Sequence, residues 1–177
     1  MRDKLLVIVA LAFEGERDKS GEPYFDHCYY VSHALKNLGC DEDTVMAGLA
    51  HDLIEDCKEW TCDRLRIMGY SEKMISLVDV VSKKPGQSYL EYVIGIVTHQ
   101  YADEAMQLKM CDIDHNMQVK RLKGLTDKDI RRTIKYQKTY AILSSVLKEK
   151  DAVKRHELIQ AIPDNDLFED PAYVKAA

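Results

Sequence analysis

A histidine followed directly by an aspartate lies inside an apolar stretch, Gly48-Leu49-Ala50-His51-Asp52-Leu53-Ile54-Glu55-Asp56. Lone charges in an apolar environment are costly, so this pair needs a partner, and a divalent cation would supply one. On a continuous helix His51 shares a face with Glu55, and Asp52 shares the neighbouring face with Asp56. Two of these groups could hold a metal while the other two do acid–base chemistry. The alternative is a solvated, acidic helix end near Asp56, because clusters of charges usually face solvent.

Two further segments carry residue types that suit the same chemistry. In Gly21-Glu22-Pro23-Tyr24-Phe25-Asp26-His27, a histidine lies one turn inside a helix that begins near the proline. Asp112 and Asn116 lie one turn apart on a later helix, in the segment from Lys109 to Met117. The chain therefore presents a histidine, a His-Asp pair and a distant aspartate, each on its own predicted helix.

This order of residues is that of the HD superfamily of metal phosphohydrolases. Three motifs resemble the RelA/SpoT-type alarmone hydrolase domains more closely, above all their small stand-alone members. The motifs are Ser20-Gly21-Glu22-Pro23-Tyr24 followed by His27, then Ala50-His51-Asp52-x-x-Glu55-Asp56, then Lys109-x-x-Asp112-x-x-x-Asn116-Met117. The resemblance extends over about residues 2 to 125.

The resemblance implies one Mn²⁺ ion, held by His27, His51, Asp52 and Asp112; other borderline cations would suit the same donors. Glu55 and Asp56 match the family's catalytic pair. One of them positions or deprotonates the attacking water or passes a proton to the leaving group, and the sequence does not assign these roles to one residue or the other. Substrate contacts are implied for Lys19, Ser20 and Asn116. The implied partner is a small phosphorylated nucleotide, and the implied reaction is that of a guanosine 3′,5′-bis(diphosphate) 3′-pyrophosphohydrolase.

Two departures from the family pattern concern base recognition. Asp18 stands where the larger alarmone hydrolases have an arginine that packs against guanine, and Val119 stands where they have a small polar residue. Two alternatives therefore stay open: an HD phosphohydrolase for another small phosphorylated nucleotide or metabolite, such as a nucleoside monophosphate, and a non-catalytic nucleotide-binding HD regulator. Retention of all the ligand types and of Glu55-Asp56 argues against the regulator.

Charge and cysteine content limit the class of protein further. The net charge of −5 over 177 residues argues against a general nucleic-acid or anionic-membrane binder, since both need a basic face. The five cysteines form no C-x-x-C pair, which favours reduced thiols in a cytoplasm over disulfides or a thiolate zinc site. The apolar run from Leu5 to Phe13 is too short for a signal peptide or a membrane span and predicts a buried first helix. The oligomeric state is not predicted.

Apolar residues recur at helical spacing almost throughout, so the predicted fold is all-α, a single-domain HD helical bundle. Residues 1–150 are predicted to form the hydrolase domain and residues 151–177 a C-terminal helix and tail. Helices that bear on the site are predicted over residues 2–16 and 23–38, from Asp41 or Asp43 to about residue 56, and from residue 103 to about 122. Ser88 and Glu91 predict a capping box.

Several other residues are given structural interpretations. His33 and His99 are predicted to be surface or packing histidines without partners, and His115 to lie between the two faces of its helix without ligating. Cys57 is interpreted as a core or loop thiol. Lys109 and Arg121 are interpreted as surface charges, and Lys83-Lys84 as a solvated loop before a helix cap rather than a phosphate contact.

Overall fold

The structure, a computed structural model, describes residues 1–118, 121 and 126–162. This part of the chain is helical, and its one β feature is an isolated bridge between Arg17 and Pro23. Its ten helices are α1 (Arg2–Ala12), α2 (Tyr24–Asn37), α3 (Glu42–Ala50), α4 (Leu53–Asp56), α5 (Cys62–Ile67), α6 (Glu72–Val81), α7 (Tyr89–Val97), α8 (Ala102–Asn116), α9 (Asp127–Lys148) and α10 (Ala152–Gln160). The all-α prediction is confirmed.

Helix α3 lies at the centre of the bundle and packs against α1, α2, α6 and α8. Every residue from Thr44 to Ala50 is buried. A Cβ atom on Gly48 would lie 2.4 Å from Leu35 Cδ1 and 3.3 Å from Ser32 Cα, so a larger residue here would displace the Leu35 side chain and press on the backbone of α2. The close contact fixes the helix that carries His27 against the segment that carries His51.

The predicted continuous helix through His51 and Asp52 is wrong, because α3 ends at Ala50 and the one-turn α4 begins at Leu53. The His51 ring bonds the Gly48 carbonyl through Nδ1 at 2.8 Å, and the Ser82 hydroxyl donates to the His51 carbonyl at 3.3 Å. Side chains thus bond to the Gly48 and His51 carbonyls, which would accept backbone N–H groups if the helix continued. At the other end, Asp41 caps α3 by accepting from the Thr44 N–H.

Two other helices are shorter than predicted, and one cap is as predicted. Helix α1 ends at Ala12 rather than at residue 16, before Gly15 with its positive φ of 82°. Helix α8 ends at Asn116 rather than near residue 122; Val119 lies outside the described residues. The capping box of Ser88 and Glu91 at the start of α7 is confirmed.

Helices α9 and α10 complete the described bundle, α9 packing against α7 and α8 and α10 against α9. Thr126 caps α9 in a capping box with Asp129. Among the described residues there is no helix of the length and apolarity that a membrane span requires.

Candidate metal centre

The four predicted metal ligands meet at one point between α2, α8 and the turn that joins α3 to α4. The His27 Nε2 atom lies 3.2 Å from His51 Nε2, 3.2 Å from Asp112 Oδ1 and 3.4 Å from Asp52 Oδ2. The His51 Nε2 atom lies 3.0 Å from Asp52 Oδ2 and 3.6 Å from Asp112 Oδ1. Both imidazoles and the Asp112 carboxylate are buried.

These four donor atoms fit a divalent cation. Two imidazole nitrogens that face each other among two carboxylates need a proton or a cation between them. Separations of 3.0–3.6 Å match the edges of a coordination polyhedron whose bonds are about 2.1 Å long. A shell of imidazole nitrogens and carboxylate oxygens suits a borderline metal.

His115 holds the ring of His27 from behind. The two Nδ1 atoms lie 2.7 Å apart, and the ring of Tyr30 stacks on His115 with a centroid separation of 4.0 Å. In the tautomer of His27 that presents the Nε2 lone pair to the cluster, the Nδ1–H group is the donor to His115. His115 therefore contacts the four-residue cluster from outside and orients the His27 ring, a role that the sequence did not predict.

Asp112 is surrounded by donors on α8. Lys109 Nζ donates to its Oδ2 atom at 2.7 Å, and the Asn116 amide donates to Oδ1 at 2.5 Å. Burial acts to raise the pKa of Asp112, but Lys109 and the two histidines outweigh it and hold the pKa well below 3.8. The interpretation of Lys109 as a surface charge is wrong, because its side chain is largely buried against this carboxylate.

Asp52 is kept ionised in a similar way from the other side of the cluster. Tyr24 donates its hydroxyl to Asp52 Oδ2 at 2.7 Å. Burial opposes ionisation here too, but the neighbouring His51 and the hydrogen bonds from both histidines lower the pKa of Asp52 well below its usual range. Burial would lower the pKa of His51, yet the two aspartates raise it to about 10.

Glu55 and Asp56, the predicted catalytic pair, have different surroundings because the helix is broken before them. Glu55 Oε2 accepts from the Lys83 backbone N–H at 2.9 Å and so faces the loop after α6. Partial burial, together with the negative charges of Asp52 and Glu55, raises the pKa of Asp56 to about 6. A carboxyl with this pKa can take up or release a proton near neutral pH.

The loop before α2 is organised by Asp18. Its Oδ1 atom accepts from the hydroxyl and N–H of Ser20 at 2.6 and 2.8 Å, and from the N–H groups of Gly21 and Glu22 at 3.0 Å each. Ser20, a predicted substrate contact, thus gives its hydroxyl to the loop itself. The other carboxylate oxygen of Asp18, Oδ2, accepts from Arg121 Nε at 2.9 Å.

Two cavities flank Tyr24, and both also reach Arg17. The first, of about 560 Å³, is lined in part by Phe13, Asp56 and Lys58. The second, of about 250 Å³, is lined in part by the predicted substrate residues Lys19 and Asn116.

Arg121 also lines the second cavity and donates to Asn116 Oδ1 at 3.0 Å. Its interpretation as a surface charge is therefore wrong. The partner of Arg121 on the loop, Asp18, lies 103 positions away, which explains why no local pattern indicated it.

The remaining histidines and Cys57 lie outside the cluster. His99 Nε2 lies 2.7 Å from the Ser76 hydroxyl, and His33 Nδ1 lies 3.1 Å from the Asn37 amide, so the prediction that they lack partners is wrong. Burial and nearby carboxylates raise the pKa of Cys57 to about 11, which agrees with a structural thiol.

Comparison with known proteins places the chain in a family. The sequence model described as an HD domain matches residues 6–110. The bifunctional (p)ppGpp synthase/hydrolase SpoT of Escherichia coli (strain K12) is 31% identical over 134 residues, which are 70% of this chain and 18% of that protein. A guanosine-3′,5′-bis(diphosphate) 3′-pyrophosphohydrolase of Vibrio cholerae is 40% identical over 77 residues, 44% of this chain and 11% of that protein.

A GTP pyrophosphokinase of Streptomyces coelicolor is 36% identical over 113 residues, 60% of this chain and 13% of that protein. The chain thus spans less than a fifth of the length of these curated relatives. A solved structure of a metazoan SpoT ortholog, described as hydrolyzing ppGpp, matches with a TM-score of 0.67 at 22% identity and covers 90% of this chain and 92% of its own. At that identity the likeness shows the fold. The chain belongs to the HD domain family, whose members of the RelA/SpoT type it resembles in both motif and fold.

Proposed function

We propose that this chain is a metal-dependent phosphohydrolase that removes pyrophosphate from the 3′ position of guanosine 3′,5′-bis(diphosphate) or a closely related nucleotide. The observation that carries the proposal is the convergence of His27, His51, Asp52 and Asp112 beside Asp56, a carboxyl with a pKa of about 6. The substrate is supported by the relatives named as guanosine-3′,5′-bis(diphosphate) 3′-pyrophosphohydrolases.

The proposed ligands are His27, His51, Asp52 and Asp112, and the proposed cation is Mn²⁺, which accepts a mixed shell of imidazoles and carboxylates. When bound, such a cation supplies positive charge for the phosphoryl oxygens and acidity for a water molecule. His115 and the Gly48 carbonyl would fix the two imidazole rings with Nε2 towards the cluster. Lys109 would hold Asp112 so that its Oδ1 atom faces the same point.

Asp56 and Glu55 are proposed to have different roles: Asp56 transfers a proton, and Glu55 positions the loop after α6. Asp56 would exchange a proton with the attacking water or with the leaving oxygen, because its pKa lies near neutral pH. Glu55 accepts a hydrogen bond from the Lys83 N–H and would fix the loop after α6 against the site. Both residues lie within one turn of Asp52, which keeps them next to the cluster.

Lys19 and Asn116 are proposed to contact the nucleotide, since both line the second cavity. Ser20 would shape the loop through its bonds with Asp18. We also propose the domain limits of 1–150 for the hydrolase domain and 151–177 for the C-terminal helix and tail. A cytoplasmic location is supported by the five free cysteines, which suit a reducing compartment.

The test is a product assay with the purified chain and Mn²⁺. Guanosine 3′,5′-bis(diphosphate), a 3′-phosphorylated adenosine nucleotide and plain nucleoside monophosphates are offered in parallel, and the products are separated by ion exchange. We expect pyrophosphate from the first substrate. Turnover of monophosphates alone would favour the general phosphohydrolase, and saturable binding without turnover would favour the regulator.

A further inference from the structure

Helix α1 has an exposed apolar face. Every residue from Leu5 to Phe13 is apolar, although a helix that packs on one side of a bundle needs only one apolar face. The inner face of α1 carries Leu5, Val9 and Phe13, which are buried. On the outer face, Val7 is 59% exposed and Leu11 is 64% exposed. The bundle therefore leaves part of this apolar run uncovered.

A charged residue flanks this exposed pair at each end. On a helix with 3.6 residues per turn, one stripe about 80° wide holds Lys4, Val7, Leu11 and Glu14. Glu14 lies two residues beyond the end of α1, in a turn that bonds back to the helix, from the Glu14 N–H to the Leu11 carbonyl at 3.2 Å. Lys4 and Glu14 are exposed, and the ion pairs among the described residues involve neither. Both charges are therefore available to a partner.

This stripe is self-complementary when two copies of α1 lie antiparallel. Val7 and Leu11 lie two positions on either side of Val9, and Lys4 and Glu14 lie five positions on either side of it. A two-fold axis at this level places Val7 against the partner's Leu11. The same axis places Lys4 against the partner's Glu14, so opposite charges meet. In a parallel pair each charge would meet its own copy, and contact between like charges opposes association.

We propose that the outer face of α1 is the contact surface of a homodimer in which two α1 helices pack antiparallel. The inference goes beyond the proposed function and involves none of the residues of the metal cluster. The contacts of Val7 with the partner's Leu11 form the apolar centre, and the ion pairs of Lys4 with the partner's Glu14 flank it. Few side chains take part, so the interface is small and the dimer weak, with a Kd on the order of 10 to 100 μM.

An anionic membrane fits this face less well than a second copy does. A helix that lies on such a membrane has a polar face rich in lysine and arginine, which gain from the anionic lipids. The stripe on α1 has one charge of each sign, and the chain has a net charge of −5. A negative surface would attract Lys4 and repel Glu14, whereas a second copy pairs both.

The first test is the oligomeric state of the full chain, measured by sedimentation equilibrium over a range of concentrations. Val7→Gln and Leu11→Gln should each raise the dimer Kd about 10-fold or more, because by symmetry each disturbs two central contacts. Val153→Gln, at a site 68% exposed on α10, is the matched control and should not change it. All three variants should keep the wild-type Tm, since the side chains are more than half exposed.

Two results of this measurement would overturn the proposal. One is a chain that stays monomeric at about tenfold the expected Kd. The other is a dimer that Val7→Gln and Leu11→Gln do not weaken more than Val153→Gln does. Neither result depends on whether the chain hydrolyses a nucleotide.

Exchange of charges tests the antiparallel arrangement. Lys4→Glu alone and Glu14→Lys alone each bring like charges together at two places in the dimer, and each should raise Kd about 10-fold. The double variant Lys4→Glu/Glu14→Lys restores opposite charges and should return Kd close to the wild-type value. A double variant as weak as the two single variants combined, or single variants without effect, would rule out this pairing.

Vesicle flotation separates the dimer from a membrane contact. With vesicles of phosphatidylcholine and phosphatidylserine we expect no binding. Binding by a chain that is monomeric without vesicles, lost in Leu11→Gln and kept in Val153→Gln, would assign the outer face of α1 to a membrane and overturn the proposal.

Discussion

Asp112 belongs to the cluster of four side chains and Asp56 lies beside it. Their surroundings shift the pKa values of the two carboxyls in opposite directions. Asp112 receives hydrogen bonds from Lys109 and Asn116, and its pKa is held well below 3.8. Asp56 faces Asp52, Glu55 and partial burial instead, and its pKa rises to about 6. This difference agrees with the roles proposed for the two residues, a carboxylate that binds a cation and a carboxyl that exchanges a proton.

The local structure explains this division. Helix α8 places Lys109 three residues before Asp112 and Asn116 four residues after it, so both donors reach the carboxylate from one face of the helix. Asp56 is the last residue of the one-turn helix α4. The nearby residues before it in the sequence, Asp52 and Glu55, bring negative carboxylates instead of hydrogen-bond donors. Substitution of Asp112 should therefore affect metal binding, and substitution of Asp56 should affect proton transfer.

The largest effect is expected from Asp112→Ala. Loss of a proposed ligand should weaken metal retention by at least about 100-fold and lower activity in parallel. Asp114→Asn is the matched control, because Asp114 is exposed on the same helix and bonds only outward to Tyr30 at 3.2 Å among the contacts described. Metal content by atomic absorption and the rate of pyrophosphate release are the two measurements. A variant that stays active and metal-loaded would show that Asp112 is not a ligand.

Asp56→Asn should separate proton chemistry from metal binding. We expect metal content to remain at the wild-type level while kcat falls about 10² to 10⁴-fold, the usual contribution of a general acid or base. The pH profile of kcat in the wild type should contain a limb at or below about pH 6, and this limb should disappear in the variant. Asp63→Asn, an exposed aspartate on α5, is the control. Loss of metal together with activity would instead make Asp56 a ligand.

The convergence of His27, His51, Asp52 and Asp112 could be predicted from the sequence, because residue type and motif spacing indicate all four. That they bind a metal stays a prediction. The break after Ala50 could not, since it depends on the His51 ring and on Ser82, which bonds from 31 positions away. Nor could the bond between His27 and His115, which are 88 positions apart. Lys109 was missed although a local signal existed: a lysine three residues before an aspartate reaches it on one helix.

The all-α fold was predictable for a related reason. Helical periodicity is local, and each cap, such as Ser88 with Glu91, lies within one turn of the residues it bonds. The second cavity has no such local signature, because its charges come from the loop before α2, from Arg121 and from α9. Distant pairs, such as Lys19 with Asp129 at 110 positions, form only once the bundle is assembled.

Lys109→Met tests how Asp112 is kept ionised. Without metal, removal of this largely buried cation should lower the free energy of unfolding by about 3 kcal/mol, because the carboxylate loses its compensating charge. With metal bound, the loss should be smaller, since the cation balances the same carboxylate. Lys73→Met is the control: it removes more exposed pairs with Asp41 and Glu104, at most about 1 kcal/mol, equally in both states. Equal losses in both states for Lys109→Met would contradict the comparison.

The raised pKa of Asp56 should also make the free energy of unfolding depend on pH. A carboxyl with a folded pKa of about 6, against 3.8 in a model compound, is ionised more easily in the unfolded chain. Its contribution to the free energy of unfolding therefore falls as the pH rises between these two values. Metal-free Asp56→Asn should be more stable than the wild type at pH 7, and this gain should vanish at pH 3.5 or below. Urea unfolding at both pH values measures it, and a gain that is equal at both would rule out titration as the cause.

Tyr24→Phe gives the smallest expected effect and tests whether Asp52 belongs with Asp112 or with Asp56. The substitution removes one hydrogen bond of 2.7 Å to the Asp52 oxygen that faces the cluster. Such a bond to a charged group contributes about 1.5 kcal/mol, so metal affinity should fall about tenfold. Tyr30→Phe is the matched control, because its hydroxyl bonds the exposed Asp114 at 3.2 Å. An unchanged metal affinity, measured by competition with a chelator, would mean that the two histidines alone keep Asp52 ionised. A loss as large as that of Asp112→Ala would mean that Tyr24 positions the whole cluster.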